Sequence, residues 1–162
     1  ILDMNDLSLF SKYGVLPSVQ PTHATTDQRW AIDRIGKARM EGAYAYKSLL
    51  DETGMLVLGT DFPVEPFNPY MTVYAATKRR NQDNFPAEGF LSEEAISIED
   101  CLRGMTIWPA MASFKEDTQG SLEPEKDATF VILDKPIVLM DQFEENFSLM
   151  TVIKGKKVLN QL

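Results

Sequence analysis

One carboxylate stands out for its setting. The apolar run Leu56-Val57-Leu58 stops abruptly at Gly59-Thr60-Asp61-Phe62-Pro63. That is the pattern of a buried strand delivering an acid to its carboxyl end, where barrel and open-sheet enzymes keep their reacting groups. A carboxylate placed there can take a proton from water or bind a cation. A plainer role is open too, because an Asp in a strand-to-loop turn often only accepts backbone N–H bonds.

The other chemistry-bearing residues are few. His23 is the one histidine and Cys101 the one cysteine. Zinc sites recruit several His or Cys ligands, and a Ser or Cys nucleophile needs a base. The chain is therefore either no such enzyme or a part of one. His23 lies in Gln20-Pro21-Thr22-His23-Ala24-Thr25-Thr26-Asp27, a polar segment that reads as a turn-prone loop. As a lone imidazole in a polar segment it reads as exposed or structurally hydrogen-bonded, and Gln20 serves a substrate contact or a satisfied buried amide. Arg79, near a helix end, offers a charge to an anionic substrate group or complements the helix dipole. Cys101 has no histidine near it in sequence and reads as a packed, inert thiol.

The elements that must position these groups follow from caps and periodicity. Asp3 or Asn5 caps a first helix that Gly14 ends, and residues 15–19 form a short strand made irregular by Pro17. Apolar residues recur at helical spacing over residues 39–52, Gly54 ends that helix, and residues 55–58 form the next strand. Asn68 and Pro69 start a helix running towards Arg79, and Ser97 caps another that Pro109 kinks or divides. Residues 81–94 form a long connection. Helix–strand–helix–strand order is the grammar of a parallel α/β fold. After Gly120 it gives way to a strand at residues 128–133 and a hairpin whose strands, 149–153 and 157–159, flank Lys154-Gly155-Lys156.

Composition removes whole classes of function. A net charge of −8 argues against nucleic acid, which demands clustered Lys and Arg. No apolar run approaches the roughly 20 residues that cross a bilayer. A lone cysteine forms no internal disulfide, which points to a reducing cytoplasm. With 162 residues the chain is too short for a whole (β/α)8 barrel of about 250. Ile1 is expected to be a processed end or a cut in a longer protein.

Three ordered motifs carry a resemblance. Ser18-Val19-Gln20-Pro21-Thr22-His23 with Asp27 and Trp30, then Gly59-Thr60-Asp61-Phe62-Pro63-Val64, then Gly120-Ser121-Leu122-Glu123-Pro124 leading into residues 128–134, together resemble the amidohydrolase superfamily. Within it the chain is similar to the family-3 branch of YtcJ-like metal-dependent hydrolases. Thr60 stands where Ser is frequent, and Glu125 where the family usually has Gly.

The resemblance implies the carboxyl-terminal part of a (β/α)8 TIM-like barrel over residues 1–119, including strands seven and eight. Residues 120–162 would then be part of a small β-sandwich. It implies hydrolysis of non-peptide carbon–nitrogen bonds (amide, imide or N-acyl) by a metal-activated water. A divalent metal, zinc by expectation, would be held by the intact protein and not by this chain alone. Asp61 would be the catalytic residue and a metal contact, with His23, Gln20 and Arg79 binding a small-molecule substrate. The outer edges of two barrel strands would need cover from upstream sequence or from a second copy in a homo-oligomer. The alternative is a non-catalytic fragment or oligomerising module that keeps the family's shape.

Overall fold

A computed structural model describes residues 1–137, 142–143 and 147–161. Asp3 accepts the Asn5 N–H to cap a 3-10 turn, Met4–Asp6, and α1 (Ser8–Tyr13) follows, closed by Gly14. Then come β1 (Ser18–Val19), α2 (Pro21–Asp27), α3 (Ala31–Ile35), a 3-10 segment Lys37–Gly42, α4 (Tyr46–Thr53) and β2 (Val57–Leu58). The two strands pair in parallel, Ser18 opposite Val57 and Val19 opposite Leu58. Their ladder extends at both ends, through Val57 N–H to the Pro17 carbonyl and Gly59 N–H to the Val19 carbonyl, each 3.0 Å. Parallel neighbours need a crossover of a dozen residues or more, which α2 to α4 supply.

Helix α5 (Pro69–Lys78) packs against α2 and α6 (Ile98–Met105), and α6 and α7 (Ile107–Ala112) pack against β2. The Asn68 side chain accepts the Tyr70 N–H and Ser97 Oγ accepts the Asp100 N–H, so both expected caps form. Pro109 divides the helix rather than kinking it. It has no N–H for the Met105 carbonyl, and the break falls at Thr106, φ −130° and ψ −83°. Leu49, Leu50, Leu56, Leu58, Val73 and Trp108 belong to one buried cluster that also holds Cys101. Burial pushes the Cys101 thiol up to about 12, so it is not a nucleophile at neutral pH.

The second sheet is antiparallel, in the order β3 (Phe130–Leu133), β4 (Ser148–Ile153), β5 (Lys156–Asn160). The β4–β5 turn is Lys154-Gly155, both at positive φ (50° and 77°). This is the mirror-image turn whose twist matches a tight hairpin. Before the sheet, Lys126 pairs with Glu123 at 2.9 Å and donates to Ser121 Oγ, closing a turn in which Glu125 is held at φ 73°. A side chain pays about 1–2 kcal/mol in that region, and glycine pays only its extra unfolded-state entropy. Glu125→Gly is therefore expected to stabilise the chain by about 0.5–1 kcal/mol, read as a higher urea midpoint. An unchanged or lower midpoint would show that the turn carries no such strain.

Three expectations need correction. Gln20 to Asp27 is not a loop: Pro21, its φ already helical, opens α2. The helix expected over residues 39–52 begins only at Tyr46. Gly42 is pinned where its carbonyl accepts the Leu2 N–H at 2.9 Å, and Tyr44 turns through φ 51°. The strands are also shorter than the apolar runs that signalled them, since Val15 and Leu56 lie outside the ladder.

Candidate active site

Because β1 and β2 are parallel and in register, the segments that follow them leave the same edge of the sheet. Gln20 and α2 follow β1, while Gly59, Thr60 and Asp61 follow β2. His23 Nε2 lies 3.6 Å from Asp61 Oδ2. That is an ion-pair distance and too long for a direct hydrogen bond. His23 Nε2 is buried without a hydrogen-bond partner among the described residues, whereas the Asp61 side chain is 54% exposed. The pair therefore joins a shielded nitrogen lone pair or N–H to a carboxylate open to solvent.

Asp61 reaches this position through a tight turn. It sits at φ 59°, its carbonyl accepts the Val64 N–H at 2.8 Å, and Thr60 Oγ1 accepts the Phe62 N–H at 3.3 Å. Asp tolerates this backbone region better than most residues with a side chain. Downstream, Phe67 is exposed against Phe62 and Tyr70 is buried.

Gln20 contributes through its backbone as well. Its carbonyl accepts the Tyr46 hydroxyl at 3.0 Å and the His23 N–H at 3.1 Å, which fixes the start of α2. Gln20 and His23 line a groove of about 360 Å³ with Val19, Tyr44, Tyr46 and Leu49. Tyr44 donates to Asp27 Oδ2 at 2.8 Å. Burial pushes both tyrosines up, joined for Tyr44 by the Asp27 carboxylate and opposed for Tyr46 by Arg79. Both hydroxyls thus remain protonated donors at neutral pH.

Arg79 is not brought to Asp61. It caps α5 at φ 56° with no exposed surface, its Nε donates to the Phe90 carbonyl at 2.9 Å, and its guanidinium lies 4.9 Å over the Tyr46 ring. Burial pushes the guanidinium down, and Tyr46 and Glu94 oppose this. Nη1 and Nη2 have no hydrogen-bond partner among the described residues. Arg79 therefore meets the His23 groove through Tyr46, not directly.

Sequence alone does not mark Tyr44 and Tyr46 as groove residues, nor Glu65 as the partner of Thr26, whose hydroxyl it accepts at 2.7 Å from a buried position. An acid between two prolines in an apolar loop was the available signal for Glu65. Among the described residues no three His, Cys, Asp or Glu side chains gather closely enough to hold a metal by themselves. No helix among them is long and apolar enough to cross a membrane.

Comparison with known proteins places these features in context. The sequence profile of the amidohydrolase family matches residues 2–159. The protein LONG AFTER FAR-RED 3 of Arabidopsis thaliana is 33% identical over 92% of this chain and 26% of its own length. The putative amidohydrolase YtcJ of Bacillus subtilis is 26% identical over 82% of this chain and 25% of its own length. The N-substituted formamide deformylase of Arthrobacter pascens is 30% identical over 57% of this chain and 16% of its own length. Among solved structures, an uncharacterized metal-dependent hydrolase from Pyrococcus horikoshii superposes with a TM-score of 0.74 at 29% identity, over 86% of this chain and 28% of that one. The chain thus spans about a quarter of the length of the first two curated relatives.

Proposed function

The chain belongs to the amidohydrolase family, and from that footing we propose that it supplies one side of the reaction centre of a hydrolase acting on non-peptide carbon–nitrogen bonds. The observation that carries the reading is the juxtaposition of His23 and Asp61 at the carboxyl edge of a parallel strand pair. Relatives about four times as long support reading β1 and β2 as strands seven and eight of a (β/α)8 barrel, and β3 to β5 as part of a sandwich beginning near residue 120. The free edge of β1 would then be covered by further barrel strands or by a second copy. The buried Cys101 thiol favours a reducing, cytoplasmic setting.

The donor set suits a divalent metal. Two ligands each about 2.1 Å from one tetrahedral zinc ion stand roughly 3.4 Å apart, close to the His23–Asp61 separation of 3.6 Å. An imidazole nitrogen with no other partner and a carboxylate are both fitting ligands. Two donors do not make a closed site, so this chain alone is not expected to hold zinc tightly. When bound, such an ion generates hydroxide near neutral pH and polarises the scissile carbonyl.

The remaining steps belong to this chain. Asp61 accepts the proton of the attacking water and returns it to the leaving nitrogen. His23 holds the facing side of the site. Gln20, which lines the groove with His23, offers its amide to the substrate. Arg79 backs the groove through Tyr46, where its charge reaches an anionic substrate group only across the ring. The formamide deformylase relative supports an N-acyl substrate.

The test is amine release from N-formyl and N-acyl amines by the intact protein, before and after chelation. Release that stops on chelation and returns with zinc is the expected result. No release from any amide with metal supplied would favour a non-catalytic module of the same shape.

A further inference from the structure

Asp61 has no hydrogen bond of its own among the described side chains, so its approach to His23 must be set by the loop that carries it. Among the described residues, one buried hydrogen bond ties that loop to α2. Thr26 Oγ1 lies 2.7 Å from Glu65 Oε1, and Glu65 is 7% exposed. The same hydroxyl also lies 3.2 Å from the Thr22 carbonyl and 3.4 Å from that of His23. A hydroxyl has one proton, and the short, charge-assisted bond to the carboxylate is the stronger claim on it. Glu65 stands four residues beyond Asp61, and Thr26 stands about one helical turn beyond His23. The bond therefore joins the two segments that bear the pair, close to the pair itself.

We infer that Thr26 and Glu65 are positioning residues that set the distance between Asp61 and His23, an inference that rests on reading those two as one reaction centre. Breaking the tie frees the 60–68 loop to swing its carboxylate away while β2, held by its ladder and core packing, stays in place. The two partners differ in what their loss leaves behind. Thr26→Val strands a buried carboxylate, which is costly. Glu65→Met removes that charge and lets Thr26 return its proton to the helix carbonyls, so nothing buried is left unpaired. Glu65→Met is the variant expected to fold without difficulty.

An imidazole spectrum makes the test direct. The resonances of His23, assigned by their loss in His23→Gln, are recorded in the intact, metal-free protein at one fixed pH, with and without Asp61→Asn, in each background. The other titratable groups lining its groove, Tyr44 and Tyr46, are common to all. Asp61→Asn is expected to move the His23 resonances in the otherwise unsubstituted chain. That response should shrink about twofold or more with Glu65→Met or Thr26→Val, and return in full with Thr26→Ser. Loss of stability alone would leave the response of the folded chain unchanged. An undiminished response in Glu65→Met overturns the positioning role while leaving the Asp61–His23 pair intact. No response in the unsubstituted chain overturns the pair itself, and the inference with it.

Discussion

Asp61→Asn in the intact protein is expected to lower kcat by about 10²–10⁴-fold, the usual worth of a positioned general base, with little change in thermal midpoint. The two side chains have the same shape, but an amide cannot take the proton of the attacking water and is a poorer ligand for a hard cation. The fold has little to lose. The Asp61 side chain is half exposed, makes no hydrogen bond among the described residues, and sits at φ 59°, where Asn is as comfortable as Asp. Loss of activity with retained stability is therefore the signature of chemistry and not of structure. An unchanged kcat would remove Asp61 from the mechanism.

The second large effect concerns the strand that delivers Asp61. Gly104 of α6 lies so close to β2 that a Cβ built on it would stand 2.7 Å from the Leu56 carbonyl oxygen and 2.8 Å from Leu58 Cγ. Helix propensity alone favours Ala over Gly by about 1 kcal/mol. Overpacking costs about 1–3 kcal/mol, and a clash with a backbone oxygen is not relieved by any rotamer change. Sterics should win. Gly104→Ala is expected to lower the urea midpoint and, by displacing β2, to weaken activity in the intact protein as well. A raised midpoint would show that α6 can shift away from the strand at no cost.

Local chemistry made much of this arrangement legible in the sequence. Asn68, Ser97 and Gly54 each act on their own neighbours, so the helix ends they mark could be read directly. The apolar run ending in Asp61 likewise encodes a strand end, whatever lies around it. The missed features depend on partners distant in the chain. The threonines of α2 look like loop residues until α5 and Glu65 pack against them, although Pro21 at the first helical position was a usable signal. Residues 39–45 carry a helical apolar rhythm, but the contact between Gly42 and Leu2 overrides it. Arg79 reads as a charge near a helix end that meets a substrate anion or the helix dipole. Its burial against Tyr46 follows from tertiary packing, which no local pattern announces. The pairing of Thr26 with Glu65 spans 39 residues, and although the flanking prolines mark Glu65, nothing local marks its partner.

On this reading the carboxyl edge of the parallel pair, with Asp61 and His23 facing each other, is where a metal and its substrate meet. Anomalous scattering from crystals of the intact, zinc-loaded protein tests this most directly. A metal peak is expected against the Asp61 carboxylate, on the side that faces His23. A metal peak remote from both side chains, in a protein active on amides, would contradict this reading.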